Sequence, residues 1–181
     1  MSTQPELPTP GSLFPVCCAT IIPPETIDRF ITTAQEESDA DESLFVFVDD
    51  TTRVYEEETE VGQWTEPTSA ESPFIGTTPL ESYLLLRQLT IDNDSNINHH
   101  HFVIMDDRTL KDGTVVLVEG PWGAGEEEGE AKTVRVEPKI AQERLLLHNI
   151  GEPEIDEDQA VAQEAEDGVL RLEAIQNRPP A

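Results

Sequence analysis

The sequence predicts an α/β protein, more closely an α+β arrangement, in which one mixed sheet of about five strands carries about four packed helices. Short apolar runs of strand length recur along the chain, and segments with helical apolar periodicity lie between and after them. The 181 residues are 36% hydrophobic, which is enough for one domain with a buried core.

The predicted strands differ in how we expect them to be covered. All but the last are continuously apolar, which is typical of strands buried on both faces. In the last strand, Val134 and Val136 alternate with Thr133 and Arg135, so one of its faces is expected to meet water. The runs are Leu13–Ile21, Leu44–Val48, Phe102–Met105, Thr114–Val118 and Lys132–Glu137.

Two helices are predicted with strong signals. Apolar residues recur at helical spacing within residues 23–37. The second helix begins at Thr78, where an N-cap threonine, Pro79 at the first helical position and Glu81 form a capping box, and it runs toward Leu89. The apolar positions of the first helix are Ile27, Phe30, Ile31 and Ala34.

Two more helices are predicted after the last strand. They cover Pro138–Asn149, which Gly151 ends, and Asp156–Glu166, which Gly168 ends. A helix after each of the first two strands predicts right-handed crossovers and some parallel pairing, whereas the close spacing of the last three strands predicts antiparallel hairpins.

Composition along the chain predicts the domain boundaries. We expect a flexible N-terminal segment over 1–12, a single domain over 13–172 and a flexible tail over 173–181. An acidic, irregular insertion is predicted near 50–73, and the glycine-rich stretch 120–131 is predicted as a hairpin tip. Both are expected to be mobile surface.

The charge of the chain limits its partners. Its 38 acidic and 11 basic residues give a formal net charge of -27, which repels nucleic acid, anionic membranes and acidic ligands. Basic proteins, cations and polyamines remain as partners. The acidic residues are densest over Glu36–Glu60 and Glu152–Asp167.

The N-terminal sequence and the two cysteines both indicate the cellular compartment of the protein. The first residues lack a basic region followed by an apolar one, and no apolar run approaches the roughly 20 residues that span a bilayer. A soluble cytoplasmic protein is therefore expected. Cys17 and Cys18 are interpreted as small buried residues, with a redox-active vicinal pair as the alternative.

Paired aspartates are the best chemical lead. Asp49-Asp50 and Asp106-Asp107 each follow a predicted strand. If these strands are parallel neighbours, the carboxylates could converge to hold Mg²⁺ or Ca²⁺, with Asp49 and Asp106 as the metal candidates, or act as acids and bases. Aspartates also begin turns after strands, which is the simpler interpretation, so we expect neither a metal nor a cofactor.

Histidines give weaker candidates. His99 and His101 could chelate a transition metal together, because alternate residues of a strand share a face, but a polar start to the strand is preferred. His148, on the apolar flank of the third helix, joins Asp49, Asp50 and Asp106 as a weak catalytic candidate, although a buried, satisfied histidine is the simpler interpretation.

Both tryptophans lie in predicted loops. Trp64 belongs to the acidic insertion and Trp122 to the glycine-rich tip. A large aromatic ring in an exposed loop either folds back onto the core or binds a partner. Both residues are therefore candidate partner-binding residues.

The order of segments resembles a family of unknown function, small acidic α/β proteins from actinobacteria and fungi. The resemblance rests on FVDD, the helix start at FIGTTPLESYLLL, the strands ending FVIMDD, VVLVEG and VRVEP, and the closing Gly168-Val169-Leu170-Arg171. It covers roughly residues 14–172. It implies the fold and no catalytic residues.

Two functions fit these observations. The preferred one is a non-enzymatic interaction protein, of the inhibitor or immunity type, whose acidic surface docks on a basic partner. The alternative is a small enzyme or small-molecule-binding protein that uses carboxylates at strand ends in a pocket between sheet and helices.

Overall fold

The computed structural model describes residues 9–122 and 129–179, which form one mixed six-stranded sheet with helices on both faces. The predicted fold class is confirmed, with one strand more than expected. The strands are β1 (Phe14–Cys18), β2 (Phe45–Phe47), β3 (His101–Met105), β4 (Val115–Glu119), β5 (Lys132–Val136) and β6 (Val169–Leu170). The helices are α1 (Pro24–Thr33), α2 (Pro79–Asn93), α3 (Thr109–Asp112), α4 (Ala141–Ile150, after a 3-10 turn at Pro138–Ile140), α5 (Ile155–Gln163) and α6 (Leu172–Gln176).

The strand order is β2-β1-β3-β4-β5-β6. β1 lies between β2 and β3 and is parallel to both. β4 is antiparallel to β3 and to β5, and β6 is parallel to β5. The predicted parallel pairing of the early strands and antiparallel pairing of the later ones are thus both present.

One face of the sheet is covered by α1, α4 and α5. In α1 the predicted residues Ile27, Phe30 and Ile31 are buried, and the Phe30 ring packs edge-on against Phe45 of β2 with centroids 4.9 Å apart. Burial of one such side chain contributes about 1.5–3 kcal/mol. The two later helices add Leu145, Ile155, Val161 and Ala162 to the same layer.

The other face is covered by α2. Its predicted capping box is formed: Glu81 N–H donates to the Thr78 hydroxyl at 3.2 Å, and Thr78 N–H donates to the Glu81 carboxylate at 2.7 Å. Tyr83 of this helix lies against Gly120, where a β-carbon would come within 2.3 Å of the ring, so only glycine fits there. The helix buries Tyr83, Leu86 and Leu89.

Three short elements were not predicted: β6, α3 and α6. Each is too short for an apolar period to appear in the sequence. β6 pairs with β5 over only two positions, Val169 with Arg135 and Leu170 with Val136. β1 ends at Cys18, before the predicted Ile21, because Ile22 N–H donates to the Thr68 hydroxyl at 2.8 Å and not to a neighbouring strand.

The ends of the described chain are attached to the domain. Gly11 N–H donates to the Ile97 carbonyl at 2.9 Å, within the predicted flexible segment 1–12. The predicted tail 173–181 begins inside α6, which packs against the core. Residues 1–8, 123–128 and 180–181, which include part of both termini and the middle of the glycine-rich tip, lie outside the described residues. The core contacts of α6 come from Leu172, Ala174 and Ile175.

Between β2 and α2 the chain forms neither a helix nor a strand. This part includes the predicted acidic insertion near 50–73. It is nevertheless attached to the fold, because Tyr55, Thr59, Thr68 and Phe74 are buried. No helix within residues 9–122 and 129–179 is long and apolar enough to cross a bilayer.

Cys17 and Cys18 lie on opposite faces of β1. Cys17 belongs to the core layer under α2 and Cys18 to the layer under α1. Burial raises the pKa of Cys17, and burial, with the nearby Asp49 carboxylate, raises the pKa of Cys18 to about 12. Both thiols are buried and protonated, which favours the structural interpretation over a redox-active pair.

Candidate functional site

The predicted aspartate pairs do not converge. Asp49 and Asp50 follow β2, and Asp106 and Asp107 follow β3. The two strands are parallel, but β1 separates them, so their backbones lie about 10 Å apart. In residues 9–122 and 129–179 no group of three or more His, Cys, Asp or Glu side chains is placed to hold a metal ion.

Asp106 is held by Arg135 of β5. Both terminal nitrogens of the guanidinium group, Nη1 and Nη2, donate to this carboxylate, which also accepts from the backbone N–H groups of Arg108 and Thr109 at 3.1 Å each. Burial alone would raise the pKa of Asp106, but the hydrogen bond and charge of Arg135 outweigh it and lower the pKa below its ordinary value. Asp106 is therefore an ionised partner that ties the end of β3 to β5.

Asp49 and Asp50 organise the turn after β2. The Tyr55 hydroxyl donates to the Asp49 carboxylate at 3.1 Å, and Asp50 accepts from the Thr52 backbone at 2.7 Å and from its hydroxyl at 2.6 Å. These bonds from Thr52 lower the pKa of Asp50. Burial and the Asp49 charge raise the pKa of Tyr55 to about 12. Both aspartates thus have the turn-forming role that is common after strands.

His148 lies in a buried ionic triad. Its Nε2 is 2.7 Å from an Asp158 oxygen, and Arg144 donates to both oxygens of Asp158 at 2.8 and 2.6 Å. The three side chains are between 1% and 7% exposed. Burial alone would raise the pKa of Asp158, but hydrogen bonds from His148 and Arg144 and the charge of Arg144 lower it. The triad joins α4 to α5, and almost none of its side-chain surface is exposed to solvent.

The three consecutive histidines are buried, although a polar lead-in to the strand was expected. His99 and His100 pack ring against ring, with centroids 4.5 Å apart, and Tyr83 lies beside both. His101, the first residue of β3, has its Nε2 3.5 Å from the Glu119 carboxylate and its ring centroid 5.8 Å from that of Trp122. The use of His99 and His101 as a chelating pair stays a prediction.

The two tryptophans have different surroundings. The Trp122 ring stacks flat on His100, with centroids 3.7 Å apart, and 57% of the residue is exposed. Trp64 is half-buried and packs against Phe47 of β2, with centroids 6.3 Å apart. Each ring therefore rests on the fold with one side while part of it remains available to a partner.

A cavity of about 930 Å³ lies beside β2, at the edge of the sheet. Its wall is the continuous segment from Arg53 to Trp64, which we call the acidic loop, and Val46 and Phe47 of β2 complete the lining. A second cavity of about 270 Å³ shares Arg53, Gln63 and Trp64 with the first and is also lined by Asp49. The glutamates that line the larger cavity are Glu56, Glu57, Glu58 and Glu60.

The acidic loop is attached at defined points. Tyr55 N–H donates to the Ser95 hydroxyl at 3.0 Å, and Gly62 N–H donates to the Asp28 carboxylate at 2.8 Å. Between these points only Thr59 is buried, and the glutamates are exposed except Glu58, which is half-buried. The attachments position the loop as a wall and leave its carboxylates facing water.

Thr59 closes the outer edge of β2. Its N–H donates to the Phe45 carbonyl at 2.8 Å, and Phe47 N–H donates to its hydroxyl at 2.9 Å. The backbone groups that an edge strand would offer to an added strand are thus already bonded at this position. A partner that binds at this edge is therefore recognised through side chains and not through added backbone hydrogen bonds.

The basic side chains are mostly used within the molecule. Among the residues that the structure describes, at least eight of the chain's 11 lysine and arginine residues lie within ion-pair distance of a carboxylate, and 38 acidic residues compete for them. The excess of acidic groups is therefore left without basic counterparts. The paired residues are Arg53, Arg108, Lys132, Arg135, Lys139, Arg144, Arg171 and Arg178.

Comparison of this chain with protein-family models, curated proteins and solved structures finds no match. The resemblance to a family of unknown function therefore stays a prediction.

Sequence reasoning identified Trp64 and the acidic insertion but missed the cavity that they form. The cavity depends on where Tyr55 and Thr59 attach, and no local motif encodes those contacts. The pairing of Arg144 with Asp158 was not predicted from the sequence either. The only available signal was that Asp158, one of three acidic residues in the first turn of an amphipathic helix, lies near its apolar positions.

Proposed function

We propose that this protein is a non-enzymatic binding module that docks a basic partner protein on its acidic surface, in the manner of small inhibitor or immunity-type proteins. The observation that supports this most is that at least eight of the 11 basic residues form ion pairs within the described part of the chain. The remaining negative charge has no internal counterpart. An extended negative field of this kind attracts cationic surfaces and speeds their association.

The alternative of a small enzyme requires acid and base groups that meet at one polar cavity. Asp106 and His148 are instead held in separate ion pairs, on β3 and in the triad of α4 and α5. Asp49 lines a cavity, but the neighbouring Asp50 is occupied in its own turn. We therefore prefer the binding module.

The test begins with affinity capture at low salt, followed by stopped-flow association of the captured partner at about 50 and 500 mM salt. We expect a basic partner and an association rate that falls steeply with salt, while the dissociation rate changes less. An acidic partner, or an association rate independent of salt, would contradict the proposal.

A charge-neutralised variant tests whether long-range electrostatic attraction determines the association rate. Exposed Glu36, Glu37, Asp39 and Asp41 can be changed together to their amides, which removes four charges without removing a hydrogen bond of the buried triad. If long-range charge drives association, this variant should associate more slowly than the wild type at low salt and equally fast at high salt.

A further inference from the structure

We infer that the cavity beside β2 is the docking groove for a short, arginine-bearing segment of the partner protein. This inference rests on the proposed function and adds a place and a ligand chemistry to it. The groove is formed by the acidic loop (Arg53–Trp64) and by Val46 and Phe47, and its volume is about 930 Å³. A helix about 10 Å across would fill that space within about two turns, so the groove suits a short segment of chain.

Three partly exposed apolar side chains, Trp64, Val54 and Val61, line the groove. The Trp64 ring is fixed against Phe47 and lines the groove with its half-exposed side. Val54 and Val61 are 51% and 57% exposed on the loop, on either side of the glutamates in sequence. A segment seated here would cover these three side chains, and a fixed aromatic ring is the type of anchor that dominates interface energies.

The charge of the groove selects a cationic occupant. Glu56, Glu57, Glu58 and Glu60 line it, and no ion pair within the described residues joins them to a basic side chain. Arg53 is the only basic residue in the lining. An acidic or neutral segment would leave these carboxylates uncompensated when water is excluded.

Arg53, which lines the groove, illustrates surroundings that suit a guanidinium group. The Arg53 guanidinium carbon lies 5.2 Å from the centroid of the Tyr55 ring, and one of its nitrogens lies 3.6 Å from the Asp49 carboxylate. Trp64 and the four glutamates line the same groove, so it offers an incoming guanidinium a second aromatic ring together with carboxylates. Arginine stacks on aromatic rings and binds carboxylates with a planar fork, so we expect arginine in preference to lysine.

Strand addition does not account for recognition here. Thr59 already occupies Phe45 C=O and Phe47 N–H on the outer edge of β2. The occupant is therefore held by its side chains, and its sequence matters more than its backbone.

The probe is a blocked synthetic peptide of alternating arginine and glycine, compared with the same peptide carrying citrulline, the neutral isostere of arginine. Trp122→Phe leaves Trp64 as the sole tryptophan, so its fluorescence reports on the groove itself. We expect saturable change in Trp64 emission with the arginine peptide and none with the citrulline peptide. The reciprocal Trp64→Phe variant should show little change in Trp122 emission.

The matched variants locate the binding. Changing Glu56, Glu57, Glu58 and Glu60 together to glutamine should weaken peptide binding at least about tenfold. The amide variant at Glu36, Glu37, Asp39 and Asp41 removes the same number of charges and should weaken it less than about twofold.

The outcomes separate the two proposals. Equal losses in both variants, or a change in Trp122 emission that matches the Trp64 change, would overturn the groove while leaving an acidic binding surface. If a captured basic partner shows salt-dependent association but does not compete with the peptide for Trp64, the groove again fails and the binding module stands. If the wild type binds neither the arginine peptide nor a basic partner at low salt, both proposals fail.

Discussion

The acidic loop and the triad of Arg144, His148 and Asp158 place carboxylates in opposite surroundings. In the loop, Glu56, Glu57 and Glu60 stay in water without basic partners among the described residues. In the triad, Asp158 is 3% exposed, and its carboxylate is hydrogen-bonded to nitrogens of Arg144 and His148. A paired, buried charge fixes the position of two helices, whereas exposed charges fix little and remain able to meet another molecule.

The largest expected effect is on the triad. Asp158→Asn leaves the buried guanidinium of Arg144 without a counter-charge, and loss of one partner of a buried ion pair costs about 3–5 kcal/mol of unfolding free energy. Asp156→Asn is the control, because Asp156 forms an ion pair with Lys132 but is half exposed, and such a pair contributes about 0–1 kcal/mol. Urea unfolding of the three proteins measures both differences. Similar values for the two variants would mean that the triad is not buried as described.

The second-largest expected effect is a pH dependence of the unfolding free energy that arises from Asp106. The pKa of this residue is lower in the folded protein than its ordinary value. The unfolded chain then takes up the proton first as the pH falls. Stabilisation from ionised Asp106 is present above about pH 4 and is lost as the pH falls through the lower folded value. We therefore expect the difference in unfolding free energy between wild type and Asp106→Asn to be full at neutral pH and to shrink below about pH 4.

Comparing the unfolding free energies of wild type and Asp106→Asn at each pH cancels the general effect of acidification on surface charge. Acidification toward the isoelectric point of about 4.1 also relieves repulsion among the surface carboxylates in both proteins. Since that relief is common to the pair, it cancels. A difference that stays constant from neutral pH to about pH 2 would exclude the Arg135 ion pair as its origin.

A smaller effect is expected in backbone protection. Amides of the acidic loop should exchange faster than those of β3, because the loop forms neither helix nor strand while β3 is paired on both sides. Within the loop, the Tyr55 and Thr59 amides donate to Ser95 and Phe45, so they should exchange more slowly than those of Glu56–Glu58. Hydrogen exchange with mass spectrometry at the level of single amides tests this. Uniform strong protection over 50–73 would show that the region is more structured than we describe.

The smallest effect is expected for stability when the groove carboxylates are neutralised. Changing the four glutamates of the acidic loop to glutamine removes repulsion and no described ion pair, so the melting temperature should stay equal or rise slightly at low salt. Salt should abolish any rise. A marked drop in melting temperature would instead give these carboxylates a structural role and weaken their use in binding.

The sequence was sufficient wherever a local pattern decides the structure. The capping box at Thr78 and the apolar period of Ile27, Phe30 and Ile31 are local, and both appear as predicted. β6 could not be predicted, because two residues show no period and its pairing with β5 depends on α5 bringing the chain back.

The candidate site was less predictable than the fold. Trp64 and the insertion are visible in the sequence as an aromatic ring among carboxylates. The groove itself exists because Thr59 reaches β2 and Tyr55 reaches Ser95, contacts that span from 12 to 40 residues. Likewise, the sequence does not distinguish Asp158 from the other acidic residues of its helix. Its role depends on α4, which places Arg144 and His148 beside it.

The placement of Cys17 and Cys18 on opposite faces of β1 gives the molecule a built-in pair of reporters. Each core layer contains one thiol, and each thiol can react only when its own layer opens. Single-cysteine variants therefore report the opening of the α2 layer and of the α1 layer as two separate labelling rates. Their ratio tells whether the two sides of the sheet come apart together or whether one side opens while the other stays closed.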